Sequence, residues 1–260
     1  MRGLSFREKI YRGTLIQKFV ICLFVIFLLP AEGLPVNFSI NPIRIFFEGG
    51  KKTDMLTVKN ESAKKVALQI SAVAWTQDEK ADNVYLPTED ILFFPKLVEI
   101  PPGEEKIIRI GTRVSRGDTE KTYRLFLEEI SDNNKMETTS VRMLMKVGVP
   151  VFISPLKSAA SAVIGKMELS KGSLRVNVKN EGNIHFIMKS MKLEGRDDSG
   201  KEIYTAEQAG GYLHHGKTKD FTFGIPEGVC RKIKTLNLHI DTDRLTTGKQ
   251  IEIAGEMCGP

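Results

Sequence analysis

The histidines His185, His214, His215 and His239 are the first residues to test for chemistry, and none has the company it would need. His214 and His215 sit beside Gly210, Gly211 and Gly216, the composition of a loop. As neighbours on an extended chain they point to opposite faces, so they chelate a single metal ion poorly. The adjacent carboxylates Glu104-Glu105, Glu128-Glu129 and Asp197-Asp198 fail as acid–base pairs for the same reason and are expected on turns or solvated faces. No Cys-x-x-Cys, Gly-x-Ser-x-Gly elbow or phosphate-cradling glycine loop occurs. Two Asn-x-Ser triplets, at Asn37 and Asn60, match a glycosylation acceptor, but so short a motif arises easily by chance.

Two cations raise a different question. In NPIRIFFEGG (41–50), Ile43, Ile45, Phe46 and Phe47 are apolar strand formers and Gly49-Gly50 end the run, yet Arg44 stands in its middle. Arginine is rarely buried without a partner, because an uncompensated buried charge is strongly destabilising. Arg44 therefore either faces solvent at an edge or is held ready for an anion. Lys146, in MKVGVP (145–150), poses the same choice. It is either an edge lysine of the kind that discourages aggregation or a cation awaiting a partner.

The elements that must position these residues read as strands. MLTVKN alternates Leu56 and Val58, KVALQISAVAW alternates Val66, Leu68 and Ile70, and TYRLFLEEI alternates Tyr123, Leu125 and Leu127. PPGEEKIIRI is a Pro-Gly turn leading into a strand with Ile108 and Ile110, and Ser140 to Ile153 reads as one long strand. PVFISPLKS, with Pro150 and Pro155, marks a hinge. Beyond it the pattern restarts with Leu174, Val176 and Val178 in SLRVNVKNEGN, then HFIMKSMKL, KDFTFGI, LNLHI and QIEIA. LTVKNES and VNVKNEGN echo each other 120 residues apart, about one sandwich domain. The expected fold is all-β: two β-sandwiches over 34–152 and 153–260, joined by a short hinge.

Residues 1–33 are read separately. A basic lead is followed by the apolar run Phe19 to Leu29 and by small residues at Ala31 and Gly33, the layout of a secretory signal peptide. The run is shorter than the roughly 20 residues of a membrane span. Removing residues 1–33 takes five basic and two acidic residues and lowers the formal charge from +6 to +3, leaving no basic block that argues for nucleic acid. The mature chain is expected to be exported, with no stable membrane insertion after cleavage. Cys22 leaves with the leader; Cys230 and Cys258 remain, either bridged or as two buried thiols. An exported β-protein without a catalytic constellation reads as a binding protein, not an enzyme.

The chain resembles the periplasmic pilus-assembly chaperones of the PapD-like family. FSINPIRIFFEGG looks like the family's first strand with its cleft arginine; LTVKNES, VALQISAVAW, PPGEEKIIRI and KTYRLFLEEI follow in the family's order; VRMLMKVGVPVFISP looks like the last strand of the first domain running into the hinge. The resemblance covers residues 36–155, and YRLFLEE with SDNNKME looks closer to the archaic branch, whose clients include spore-coat-like subunits. It implies two immunoglobulin-like sandwiches in a boomerang shape, periplasmic location, no cofactor or ATP, and secreted pilus or coat subunits plus an outer-membrane usher as partners. It also implies roles. Arg44 and Lys146 would hold the subunit's C-terminal carboxylate. Val141, Met143 and Met145, on one face of the last strand, would be lent to the subunit by strand addition, unless they pack inside their own domain. A secreted adhesin or carbohydrate-binding sandwich is the alternative; it would need exposed aromatic platforms, and Trp75 is the only tryptophan.

Overall fold

The computed structural model describes residues 38–130 and 143–259; the expected leader and Val141 of the expected donor run lie outside them. The first sandwich is built from β1 (Phe38–Asn41), β2 (Ile45–Phe47), β3 (Thr53–Asn60), β4 (Val66–Gln77), β5 (Asn83–Pro87), β6 (Ile91–Phe94), β7 (Leu97–Ile100), β8 (Glu105–Thr112), β9 (Lys121–Glu129) and β10 (Lys146–Ile153). One sheet has the order β1-β3-β8-β6, the other β2-β10-β9-β4-β5 with β7 also on β4. The alternations read from the sequence decide which side chains meet between them. Leu56, Val58, Val66, Leu68, Ile70, Ile108, Ile110, Tyr123, Leu125 and Leu127 all enter one core. The Tyr123 hydroxyl donates to Asp90 at 2.7 Å, and burial followed by that bond raises its pKa.

The second sandwich comprises β11 (Ala162–Ser170), β12 (Ser173–Asn180), β13 (Phe186–Arg196), β14 (Glu202–Gln208), β15 (Gly211–Leu213), β16 (Thr218–Gly224), the short helix α1 (Glu227–Cys230), β17 (Thr235–Thr242) and β18 (Thr246–Glu252). Its sheets run β11-β12-β16 and β14-β13-β17-β18, with β15 on β13. Lys171 and Gly172, both at positive φ, turn β11 into β12. A Cβ on Gly172 would come within 2.7 Å of the Ile225 carbonyl, so the turn needs glycine there. Cys230 of α1 and Cys258, in the last helical turn Gly255–Cys258, are bridged and buried in this sandwich's own core. Among the described residues no helix is long and apolar enough to cross a membrane.

The echo at 60 and 180 is a structural one. Asn60 and Asn180 are each fully buried at the end of a strand. Asn60 accepts from the Ser62 N–H at 2.9 Å and donates to the carbonyls of Lys64 (2.7 Å) and Ile100 (2.8 Å). Asn180 accepts from the Gly182 N–H at 2.9 Å and donates to those of Ile184 (2.8 Å) and Leu213 (2.9 Å). Each asparagine shapes the turn after its strand and ties it to a distant strand end.

Two strand readings are corrected. The apolar run around Arg44 is two strands: β1 pairs with β3, β2 pairs with β10 in the opposite sheet, and Pro42 to Arg44 form the bend between them. Proline, with no N–H for a ladder, suits that crossing. The long last strand starts only at Lys146. Its partner β9 ends at Glu129, so Met143 and Leu144 run past the sheet and are exposed.

Candidate functional site

The outer face of the β2-β10-β9-β4-β5 sheet follows from strand alternation. On β10, Val149, Val151 and Ile153 enter the core, so Lys146, Gly148, Pro150 and Phe152 face outward. On β9 the outward residues are Thr122, Arg124, Phe126 and Glu128; on β4 they include Val73, Trp75 and Gln77. On β2, Ile45 and Phe47 are in the core, while Phe46 turns outward and stacks on Phe152 with ring centroids 5.2 Å apart. Half-buried Arg44, one residue before Ile45, falls on the side of Phe46 when that alternation is continued. Parallel pairing sets Ile45 level with Val151. Pro150 pairs with Arg124, and Arg124 with Val73. Pro150, Arg124 and Val73 thus lie in one row across three strands, and Arg44, in the bend just before β2, lies at the β2 end of that row.

At the hinge end this face is covered by the second sandwich. Trp75 is buried, but not in its own domain's core: its ring meets Tyr212 edge-on at 5.0 Å and His214 at 4.3 Å. The Gln77 amide donates to the Tyr212 carbonyl at 3.0 Å and accepts from the His214 N–H at 2.9 Å, so one side chain extends the β15 backbone like a further strand. His185 lies flat on Phe152 at 3.8 Å and shares its Nδ1 with Glu120 at 2.6 Å, while its backbone N–H donates to the same carboxylate oxygen. Arg116 ties a loop of the first sandwich to the hinge. It donates to Gly49 (3.1 Å), Ser154 (3.0 Å), Pro155 and Leu156 (3.4 Å). Burial, then the nearby His185, Arg124 and Lys217, push the His214 pKa down to about 3, so this imidazole is neutral.

Away from the hinge the β10 edge is open. β2 pairs only with Val151 to Ile153, and among the described residues no strand pairs with that side of β10 from Lys146 to Pro150. Met143 is 81% exposed, whereas Met145 packs against its own domain's core. The two methionines expected to act together are therefore separated: Met145 is still bonded to the end of β9, its carbonyl accepting from the Glu129 N–H at 2.8 Å, and Met143 runs past it. Lys146 pairs with Glu128 at 2.8 Å, its ammonium 4.9 Å from the centre of the Phe126 ring. The structure does not bring Arg44 and Lys146 together. Four residues separate Lys146 from Pro150, about 13 Å of strand at ~3.3 Å per residue.

Arg124 is the residue that sequence reading passed over. Its guanidinium lies 4.0 Å over the Trp75 ring, and Nη1 points to the Gly148 carbonyl at 3.4 Å. Nε is buried without a hydrogen-bond partner, and no carboxylate among the described residues pairs with it. Arg44 likewise has no hydrogen bond or ion pair there. The signal was present: Arg124 interrupts Tyr123 and Leu125 in TYRLFLEEI as Arg44 interrupts its own run. For metal chemistry, no group of three or more His, Cys, Asp and Glu among the described residues is placed to hold an ion.

With this geometry in hand the comparisons are informative. Residues 37–159 match the family model for the pili and flagellar-assembly chaperone, PapD N-terminal domain. Several solved structures share the fold across both sandwiches. In the CsuC–CsuE chaperone–tip adhesion subunit complex of Acinetobacter baumannii the match has 17% identity, covers 83% of this chain and 98% of that one, and gives a TM-score of 0.56. The class 5 fimbriae chaperone CfaA matches at 14%, with 84% and 100% coverage and a TM-score of 0.54. The SafA pilin–SafB chaperone complex of Salmonella enterica gives 14%, 85%, 98% and 0.52. No curated protein matches the sequence.

Proposed function

We infer that this chain, a PapD-like chaperone by its N-terminal domain at residues 37–159, is an exported, non-enzymatic assembly factor. It captures secreted pilus or coat subunits and passes them to an outer-membrane usher. The observation that carries this reading is the open β10 edge, bounded by exposed Met143 on one side and by β2 on the other. A subunit lacking its last strand can take that edge as the missing one, with backbone hydrogen bonds for affinity and alternate side chains for fit. The chaperone–subunit complexes of CsuC–CsuE and SafB–SafA, which share the fold, support a subunit as the occupant.

The anchor follows from direction. A guest strand laid parallel to β10 along Lys146 to Pro150 arrives with its C-terminal end where β2 begins, and there Arg44 stands. A carboxylate is the charge that end carries, and a guanidinium fork suits it. Val141 and exposed Met143 belong to the segment lent to the subunit, Met145 ties that segment to its own core, and Lys146 flanks the lent edge. Glycan binding would need an exposed aromatic platform, and Trp75 is buried.

Co-expression with a subunit and purification from the periplasm tests this. The wild type should carry a subunit of secreted, incomplete-sandwich type, and Arg44→Ala should carry far less. A wild-type protein that recovers no subunit, or an Arg44→Ala protein that recovers as much, removes the reading or its anchor respectively.

A further inference from the structure

Among the described residues the reducible sulfur is spent and the oxidisable sulfur is all methionine. Cys230 and Cys258 are bridged and buried, and the third cysteine, Cys22, belongs to the expected leader. A thioether still takes up oxygen. We propose that Met143 is an oxidation site: a peroxide converts its thioether to the sulfoxide while the β10 edge is empty, and the sulfoxide withholds that edge from subunits until a methionine sulfoxide reductase removes it. The proposal rests on reading the segment before β10 as the one lent to the subunit.

Exposure singles out the residue. Met167, Met188 and Met191 are buried in the second core, and Met145 packs against the first. The exposed methionines among the described residues are Met143 at 81%, Met55 at 57% and Met257 at 43%. The backbone accounts for the first of these. Met145 makes the last bond to β9, and Met143, two residues earlier, has no neighbouring strand to lie against. Position separates it from the other two. Met55 precedes core residue Leu56 on β3 and so faces outward from the β1-β3-β8-β6 sheet, and Met257 lies in the last helical turn of the second sandwich. Of the three, Met143 alone borders the open β10 edge.

The step balances. A sulfur lone pair takes one oxygen of hydrogen peroxide; the O–O bond breaks, an S–O bond forms and water leaves. Sulfur gives up two electrons and the peroxide accepts them. A flexible apolar side chain becomes a polar, chiral one, and a reductase can reverse the change. A thioether lent to an apolar groove gives up little by leaving water, whereas the sulfoxide oxygen loses its hydrogen bonds on the same transfer. A subunit already bound covers the sulfur, so the reaction selects empty chaperone.

The test uses the full mature protein. Its binding probe is the polypeptide that co-purifies with the wild type from the periplasm, stripped in urea and refolded into fresh chaperone. Hydrogen peroxide is applied and removed with catalase, each protein's capture is compared with its own untreated sample, and peptide masses report which methionines gained oxygen. In the wild type Met143 should gain oxygen before Met145, and capture should fall about tenfold or more. Methionine sulfoxide reductases of both stereospecificities should bring it back. Met55→Leu should lose capture as the wild type does, Met143→Leu should hold its own untreated level, and peroxide added to the preformed complex should leave Met143 unoxidised. A wild type that carries the sulfoxide at Met143 and captures undiminished overturns the proposal, as does a Met143→Leu protein that loses capture equally. Where Met143→Leu captures too little to compare, the reductases decide, and lost capture that does not return overturns it. Each of these results leaves the chaperone reading standing, because the untreated wild type still captures. A wild type that brings down no polypeptide removes both.

Discussion

The Glu120 carboxylate and the His185 ring meet at 2.6 Å, Oε2 to Nδ1, and both side chains are nearly sealed from water. The pair joins the loop before β9 to the strand entry of β13, and His185 also lies flat on Phe152. Removing the carboxylate leaves a ring nitrogen and a backbone N–H buried without a partner. Glu120→Ala should therefore lower stability by about 2–4 kcal/mol. Urea unfolding followed through Trp75 emission, at the sandwich–sandwich contact, measures it. An unchanged midpoint would show that this buried pair adds nothing to the coupling of the sandwiches.

His214 should make stability depend on pH. Folded, it stays neutral down to about pH 3; unfolded, it takes a proton near its ordinary value of 6.5. Between those limits the unfolded chain binds more protons, so stability is fullest above 6.5 and falls as pH drops toward 3. The slope is at most about 1.4 kcal/mol per pH unit from this one group. His214→Phe keeps an aromatic edge against Trp75 and should flatten that part of the profile. Melting temperatures across the acid range, wild type against variant, decide the point.

Asn60 and Asn180 should respond alike to substitution. Each holds three backbone groups around the turn that follows its strand, so Asn60→Ala and Asn180→Ala should each cost about 2–4 kcal/mol. Hydrogen exchange at Ser62 or Gly182 should rise only in the sandwich that carries the change. A loss in one variant and none in the other would mean that the shared geometry is not a shared load.

The Cys230–Cys258 bridge closes a separation of 28 residues inside the second core. On the chain-entropy model its removal should cost roughly 3–4 kcal/mol. The double variant Cys230→Ala, Cys258→Ala, compared with wild type in denaturant, tests the figure. The damage should be confined to the second sandwich.

Much of this architecture is written locally. Alternation alone places Leu56, Val58, Leu125 and Leu127 in a core, and the Lys-Asn-Glu repeat marks two equivalent turns. What local pattern cannot carry is pairing between distant strands. Arg44 and Lys146 look like equals until β2 and β10 are set in register, and then Lys146 is four residues out of line. Trp75 misleads for a related reason. Its strand is a core strand, but its own position is on the far face, and only the second sandwich, brought in by the hinge, covers it. Arg124 was readable as an outward cation from its neighbours Tyr123 and Leu125; its stacking on Trp75 was not.

The shortness of β2 has a consequence of its own. Because it occupies only Val151 to Ile153 beside β10, its first residue is an end-stop on an otherwise continuous track. A guest strand entering parallel to β10 cannot slide past Ile45, so its position is counted backward from its own terminus. A slip of one residue would turn every guest side chain to the wrong face. A slip of two would restore the faces but leave the terminal charge short of the stop. If the β10 edge takes a guest strand as proposed, three residues of β-structure are the zero mark of a ruler, and the length of guest chain beyond that mark decides what the remaining edge can measure.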